Sequence, residues 1–210
     1  MIVAHALLIA ILLAAIAGIA VMAASQARRT RLLGRMAYDA GMRFSKDDIF
    51  DVFTRYADFA VIRAGHSPRA HNVMYGQHEG LHVRAFDFRY EIGHGAGRLT
   101  RMCSLVLAEL EQPLPCSAIW SDVDADAVLE ARCTVDRLAC WSLAGDSHLA
   151  RKLGEACIAA GAEGVSMQTS GNRMMLITPL LKTRQDYARC FGLLSSAARL
   201  ATAGSAMAVA

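Results

Sequence analysis

Three features of the sequence predict an α+β fold, in which an N-terminal transmembrane helix precedes one domain with a largely antiparallel sheet and flanking helices. Residues 2–24 are an unbroken apolar run. Residues 70–111 read as three consecutive strands joined by glycine-marked turns. Amphipathic helical stretches stand before and after the strand hairpins instead of alternating with single strands, the arrangement of an α+β domain. The 210 residues allow a membrane segment plus one domain. With about 45 residues assigned to the membrane and its stalk, about 160 remain, enough to bury a core without covalent staples. The formal charge of +3 comes partly from one arginine cluster, so no global basic signature marks a nucleic-acid binder.

The apolar run IVAHALLIAILLAAIAGIAVMAA has His5 as its one titratable side chain. As a helix it measures about 34 Å, against a hydrocarbon core of roughly 30 Å. A cleavable signal peptide is the rival reading, because Ala23-Ala24-Ser25 would suit a peptidase. The missing basic n-region, and a run longer than the ~7–15 residues of an h-region, favour a retained anchor over residues 1–25. Arg28, Arg29, Arg31 and Arg35 follow directly. By the positive-inside rule they place the large domain in the cytoplasm. These arginines also suit anionic headgroups. Ala10, Ala14 and Gly18 at four-residue spacing would let two spans approach as a weak homodimer.

Leu32, Leu33, Met36 and Ala40 carry the helix on as a basic stalk over residues 26–43, with Gly41 as its stop. The domain then covers residues 44–203. Ser45 and Asp48 read as the cap of a new helix with a stripe of Ile49, Val52, Phe53 and Tyr56. Asp58 to Ile62 reads as a short strand. In the central meander Gly76 and Gly80 bracket the first turn, and Gly93, Gly95 and Gly97 make the second. Phe86, Phe88, Tyr90 and Ile92 alternate onto one face, with Asp87 and Arg89 on the other. Residues 102–108, apolar on both faces, suit a covered central strand. Pro113 and Pro115 break the next stretch, where Ile119-Trp120 reads as an edge strand and residues 121–127 as an acidic turn.

Leu138 to Leu143 reads as a strand. Asp146 or Ser147 caps a helix with a stripe of Leu149, Leu153, Ala156, Cys157 and Ala160, ended by Gly161. Val165–Thr169 and Met174–Thr178 form a hairpin around Ser170-Gly171-Asn172. Thr183 and Asp186 cap the last helix, whose stripe is Tyr187, Cys190, Phe191, Leu194, Ala198 and Ala201, and residues 204–210 form a flexible tail. The cysteines Cys103, Cys116, Cys133, Cys140, Cys157 and Cys190 show no C-x-x-C spacing. That excludes a zinc-ribbon or thioredoxin motif and suits reduced core thiols in a reducing compartment.

The apolar span followed by GMRFS, GHSPRAHNVMYGQHEGLHVRAFDFRYEIG and VDRLACWSLAGD resembles a widespread bacterial family of small membrane-anchored proteins. That family's central block reads close to NVM-G-x-x-x-G with FDYRY behind it. The likeness covers roughly residues 30–200 and is most specific at Asn72–Gly76 and Phe86–Tyr90, with Phe88 where the family has tyrosine. It implies the architecture and brings no activity or catalytic residues.

Five histidines lie between residues 66 and 94: His66, His71, His78, His82 and His94. They occupy separate predicted loops, which argues against the three or four ligands of a metal site. Gly93-His94-Gly95-Ala96-Gly97 lies between two strands and so lacks the helix N-terminus of a phosphate cradle. Asp122, Asp124 and Asp126 have the alternate spacing of a calcium loop, but Ala127 and Cys133 replace its glycine and its bidentate glutamate. Asp87 and Arg89 are expected to form a strand-surface ion pair or a hydrogen bond that fixes the meander. No G-x-S-x-G elbow occurs. No cofactor is expected.

The functional expectation is a binding or scaffolding module at the membrane. Its contact surface would be the aromatic strand face or the two loop tips. His71, Asn72, His82, Asp87 and Arg89 are the candidate binding or structural residues. Its partners would be the lipid bilayer and an unidentified protein, with no nucleic acid. The alternative is a tethered enzyme in which His71, His82, Asp87 and Arg89 converge in one pocket.

Overall fold

A computed structural model describes residues 2–121, 134–162 and 164–206. The aspartates of the calcium-like turn, Cys133 and residues 207–210 of the expected tail lie outside them. One helix, α1 (Ile2–Asp39), carries both the apolar run and the basic stalk without a break. It is long and apolar enough to cross a bilayer, and its apolar window is wholly exposed. Gly41, at φ +68°, ends it. Met42 N–H donates to Ala37 O (2.8 Å) and Gly41 N–H to Tyr38 O (3.0 Å), the paired bonds of a Schellman stop.

The chain continues as β1 (Arg43–Asp47), the one-turn helix α2 (Val52–Arg55), a 3₁₀ turn at Ala60–Arg63, β2 (His66–His78), β3 (Leu81–Ile92) and β4 (Leu99–Ser121). Then come β5 (Thr134–Leu138), β6 (Trp141–Gly145), the helix α3 (Ser147–Ala159), β7 (Ser166–Pro179) and the helix α4 (Arg184–Ala206). The seven strands form one sheet in the order β1-β2-β3-β4-β6-β5, with β7 on β4. All its pairings are antiparallel. The predicted α+β class therefore holds.

Several local expectations fail for identifiable reasons. Ser45 lies inside β1, because Phe44 and Ser45 pair with Met74 and Val73 of β2. Asp48 instead accepts from the N–H groups of Phe50 (3.0 Å) and Val52 (2.8 Å), ahead of a much shorter helix whose N-cap residue is Asp51. Ile49 and Phe53 of the expected stripe are about half exposed, while Val52 and Tyr56 are buried. The expected strand at residues 58–62 becomes the 3₁₀ turn. Gly76 is a strand residue, and the first turn is Glu79-Gly80. A Cβ on Gly76 would lie 3.1 Å from Met42 Cγ and 3.3 Å from Met42 Cα, so the missing side chain lets the end of α1 close on the sheet.

The segment that Pro113 and Pro115 are expected to break is the long strand β4, and Ile119-Trp120 lies between β6 and β7, not at an edge. Both prolines fall between Glu109 and Ser117, where the β4–β7 register slips, and a bulge spares proline a ladder donor. Gly171 stands opposite Leu114 at that slip. The expected hairpin is therefore one bulged strand, β7, running along β4. The expected strand at residues 138–143 contains the turn of the β5–β6 hairpin at Ala139-Cys140. The last two helices match their stripes except at Ala160, which is exposed just past the end of α3: Leu149, Leu153, Ala156 and Cys157 are buried on α3, and Tyr187, Cys190, Phe191, Leu194, Ala198 and Ala201 on α4. α4 runs on to Ala206, into the expected tail.

The sheet divides two cores. One lies under α1, α3 and α4 and includes Leu33, Met36, Ala37, Met42, Met74, Val106, Leu153 and Leu194. The other lies under the 50–63 segment and includes Tyr56, Phe59, Ile62, Phe86, Phe88, Tyr90, Leu105 and Trp120. The aromatic face is thus core, with Phe86, Phe88 and Tyr90 no more than 3% exposed, and is not a contact surface. The first core also shows that the stalk belongs to the domain, since its residues from Leu33 onward are core residues.

Candidate functional site

Strand alternation puts Asp87 on the helix-covered face of β3, paired with His71 on β2 and Ser104 on β4. There it meets α1. Arg29 Nε donates to Asp87 Oδ2 at 2.7 Å and Arg29 Nη2 donates to Oδ1 at 2.6 Å, a bidentate pair whose carboxylate is fully buried. The third Arg29 nitrogen, Nη1, donates to Leu181 O at 2.7 Å. Leu181 N–H donates to Ser104 Oγ (3.0 Å), and Ser104 Oγ donates to Asp87 Oδ1 (3.4 Å). The circuit Arg29–Asp87–Ser104–Leu181 closes on itself and ties α1 to β3, β4 and the β7–α4 connection.

Asn72 makes a second tie. Its Nδ2 donates to Asp87 Oδ2 (2.9 Å), and its Oδ1 accepts from Thr30 Oγ1 (2.9 Å), one residue past Arg29. Strict alternation would point Asn72 away from Asp87, because His71 already takes that face. A register slip between His71 and Met74 puts both on one side. Asn72 sits there at φ +54°, a region asparagine tolerates better than most residues. A bulge that re-aims a side chain is a recurrent device.

A buried charge is tolerated only when paired and saturated. Asp87 meets that condition with donors from three elements. His71 Nε2 stands 3.9 Å from Asp87 Oδ2. Burial pushes the His71 pKa below its ordinary value despite Asp87's charge, and Arg29 and Arg89 push the same way. Tyr187, behind the pair, is pushed up to about 12 by burial and by the charge of Asp87.

Of the candidate residues, His71, Asn72 and Asp87 converge. Arg89 does not pair with Asp87 as expected; it reaches Glu91 at 3.3 Å, and Asp87 takes Arg29 instead. His82 lies at the far end of β3, opposite Glu109. Arg28, Arg31 and Arg35 are exposed, whereas Arg29 is consumed by the latch. Sequence reasoning missed Thr30, Ser104, Leu181 and Tyr187. Nothing in their local pattern signals the contact, which joins residues 58 and 152 positions apart.

Of the clefts of about 440, 480 and 140 Å³, the second is lined in part by Leu181 and the third by Tyr187, and none by His71, Asn72, Asp87 or Arg89. Among the described residues no three His, Cys, Asp or Glu side chains are grouped to hold a metal ion. His66 stacks on His94 (ring centroids 5.2 Å) and His78 packs on Phe191 (5.2 Å). The arrangement around Asp87 is chemically a clamp, with both carboxylate oxygens taken by donors from Arg29, Asn72 and Ser104.

No family model matches the chain, and no curated protein matches it. Among solved structures it is similar to the mycobacterial trehalose monomycolate transport factor A. The identity is 13% and the TM-score 0.56, over 81% of this chain and 93% of that one. At that identity the likeness concerns the fold.

Proposed function

We propose that this protein is a membrane-anchored, non-catalytic platform: α1 crosses the bacterial inner membrane and holds the sheet domain at its cytoplasmic face for a protein partner. The carrying observation is the buried Arg29–Asp87 pair. A domain that needed only to be near the membrane would be served by a flexible tether. Here the helix bearing the apolar run is bolted to the sheet just beyond that run, so the domain's orientation is fixed relative to the helix. Fixed orientation matters for a module that presents a surface to another membrane component. The fold's likeness to a transport factor supports an accessory role beside a membrane transport machine.

The test inserts a ten-residue Gly/Ser linker between Ala27 and Arg28, leaving anchor, latch and domain intact but uncoupling their orientation. The wild-type chain, captured from detergent-solubilised membranes, is expected to bring down an integral membrane protein that the linker variant loses. Equal recovery with both would reduce α1 to a tether and refute the platform. A reporter fused after Ala210 reads the facing, and activity of a periplasm-dependent reporter would refute the cytoplasmic placement.

A further inference from the structure

The latch gives the sheet a direction. Thr30 bonds Asn72, whereas Met42, twelve residues further along the chain and just past the end of α1, packs on Gly76. Moving up β2 from Asn72 therefore leads away from the apolar run. Moving down β2 toward His66, or up β3 from Asp87 toward Ile92, leads toward it. Ile92 pairs with Leu99, so the β3–β4 connection forms the tip of the sheet on the side of the apolar run. At a rise of about 3.3 Å per residue the end of β3 reaches up to about 17 Å beyond Asp87.

That tip is basic. Residues 63–71 and 89–102 contain Arg63, Arg69, Arg89, Arg98 and Arg101, all exposed, against one carboxylate, Glu91. Glu91 is buried and held by Arg98 and Arg89, and the Arg98 hydrogen bond lowers its pKa first of all, so it stays charged and partly offsets those two. Among the described residues no carboxylate pairs with Arg63, Arg69 or Arg101. At the opposite end the charges are matched, with Glu109 between Arg84 and Arg55 and Glu79 beside Arg199. Asp47, the nearest acidic residue on β1, is level with His71 and short of the tip. Two apolar side chains stand among the arginines, Leu99 at 56% and Met102 at 39% exposure. Exposed Arg28 and Arg31 extend the same charge onto α1.

We propose that the β3–β4 tip is a second membrane-contact site, in which Arg69, Arg98 and Arg101 engage anionic phospholipid headgroups while Leu99 and Met102 enter the interface. This rests on α1 spanning the bilayer. The cations suit an anionic leaflet, each arginine near it favouring contact by about five-fold, and the flanking apolar side chains explain an exposure that water disfavours. The domain would thus stand on two supports, the helix and the tip.

The experiment places the full chain in nanodiscs of phosphatidylcholine alone or mixed equally with phosphatidylglycerol, with acyl chains brominated near the carbonyl. Leu99→Trp reports the tip and Ile16→Trp reports the anchor; the native tryptophans give the background. The expected result is bromine quenching of the Leu99→Trp signal in anionic discs. It should fall several-fold in neutral discs, in 0.5 M salt and in the Arg98→Gln/Arg101→Gln background, while Ile16→Trp is quenched throughout. The salt and lipid comparisons need no second substitution and hold if that background fails to fold. An unquenched Leu99→Trp beside a quenched Ile16→Trp would overturn the tip site and spare the anchor. Neither quenched would overturn both. A blue-shifted but unquenched Leu99→Trp would mean protein contact in place of lipid and also overturn the proposal.

Discussion

Replacing Arg29 with methionine removes the bidentate partner of a carboxylate that has no exposed surface. Breaking such a pair costs about 3–5 kcal/mol, because a buried charge is left uncompensated. Arg29→Met should therefore destabilise the domain by about 3–5 kcal/mol at pH 7. Asp87→Asn alone should cost about 2–4 kcal/mol, since it strands a largely buried guanidinium. In the Arg29→Met background the same substitution should be stabilising, because the introduced amide oxygen still accepts from Asn72, its NH2 can donate to Ser104 Oγ, and no charge remains. Urea unfolding of the full chain in non-ionic micelles, followed through buried Trp120 and Trp141, reads all four corners of the cycle. Additivity within about 0.5 kcal/mol would refute the clamp.

Asn72→Ala should lose the bonds to Thr30 and Asp87 and place alanine at φ +54°, costing about 2–4 kcal/mol in the same assay, whereas Asn72→Gly should cost about 1 kcal/mol less. His71 has a folded pKa lowered chiefly by burial, so the unfolded chain binds the extra proton. Stability is then full above the ordinary value of about 6.5 and is lost as pH falls through it toward the lowered folded value. His71→Gln should flatten that part of the urea-midpoint profile. Burial pushes the thiols of Cys157 up to about 12 and Cys190 up to about 11, while Cys116 is exposed. Peptide mapping after brief alkylation of the folded protein should find Cys116 modified and the other two protected until urea is added.

The class of fold, the meander and the two closing helices were legible because each rests on a local period. Phe86, Phe88 and Tyr90 alternate, and Tyr187, Cys190, Phe191 and Leu194 recur at helical spacing. What was illegible breaks a period or spans the chain. Pro113 and Gly171 read as breakers because turn and bulge share the same residues; only the pairing of Leu114 with Gly171 distinguishes them. The Asp87 site was half legible. Asp87, Asn72 and His71 stood out in the central block, but their partner was sought on the same strand, at Arg89. One arginine of the basic cluster had a second use that topology signals conceal, because a charge beside an apolar run is already explained by orientation.

Where the domain begins along α1 is a question of energetics more than of composition. A chain starting at residue 44, where hydropathy and charge place the boundary, would lack Leu33, Met36, Ala37 and Met42, all at most 8% exposed in the first core. At about 1.5–3 kcal/mol for each of the three large apolar side chains buried, the loss is about 5–9 kcal/mol. Asp87 would also lose Arg29, adding about 3–5 kcal/mol. A domain of this size has about 5–15 kcal/mol in total, so residues 44–210 should not fold, while residues 28–210 retain the latch and the core and should unfold cooperatively in urea. Equal midpoints by circular dichroism for the two truncated chains would refute this accounting. Because one uninterrupted helix carries both the apolar run and a wall of the core, the domain cannot complete its packing without seating that helix. Its orientation relative to the apolar run is therefore set by the act of folding.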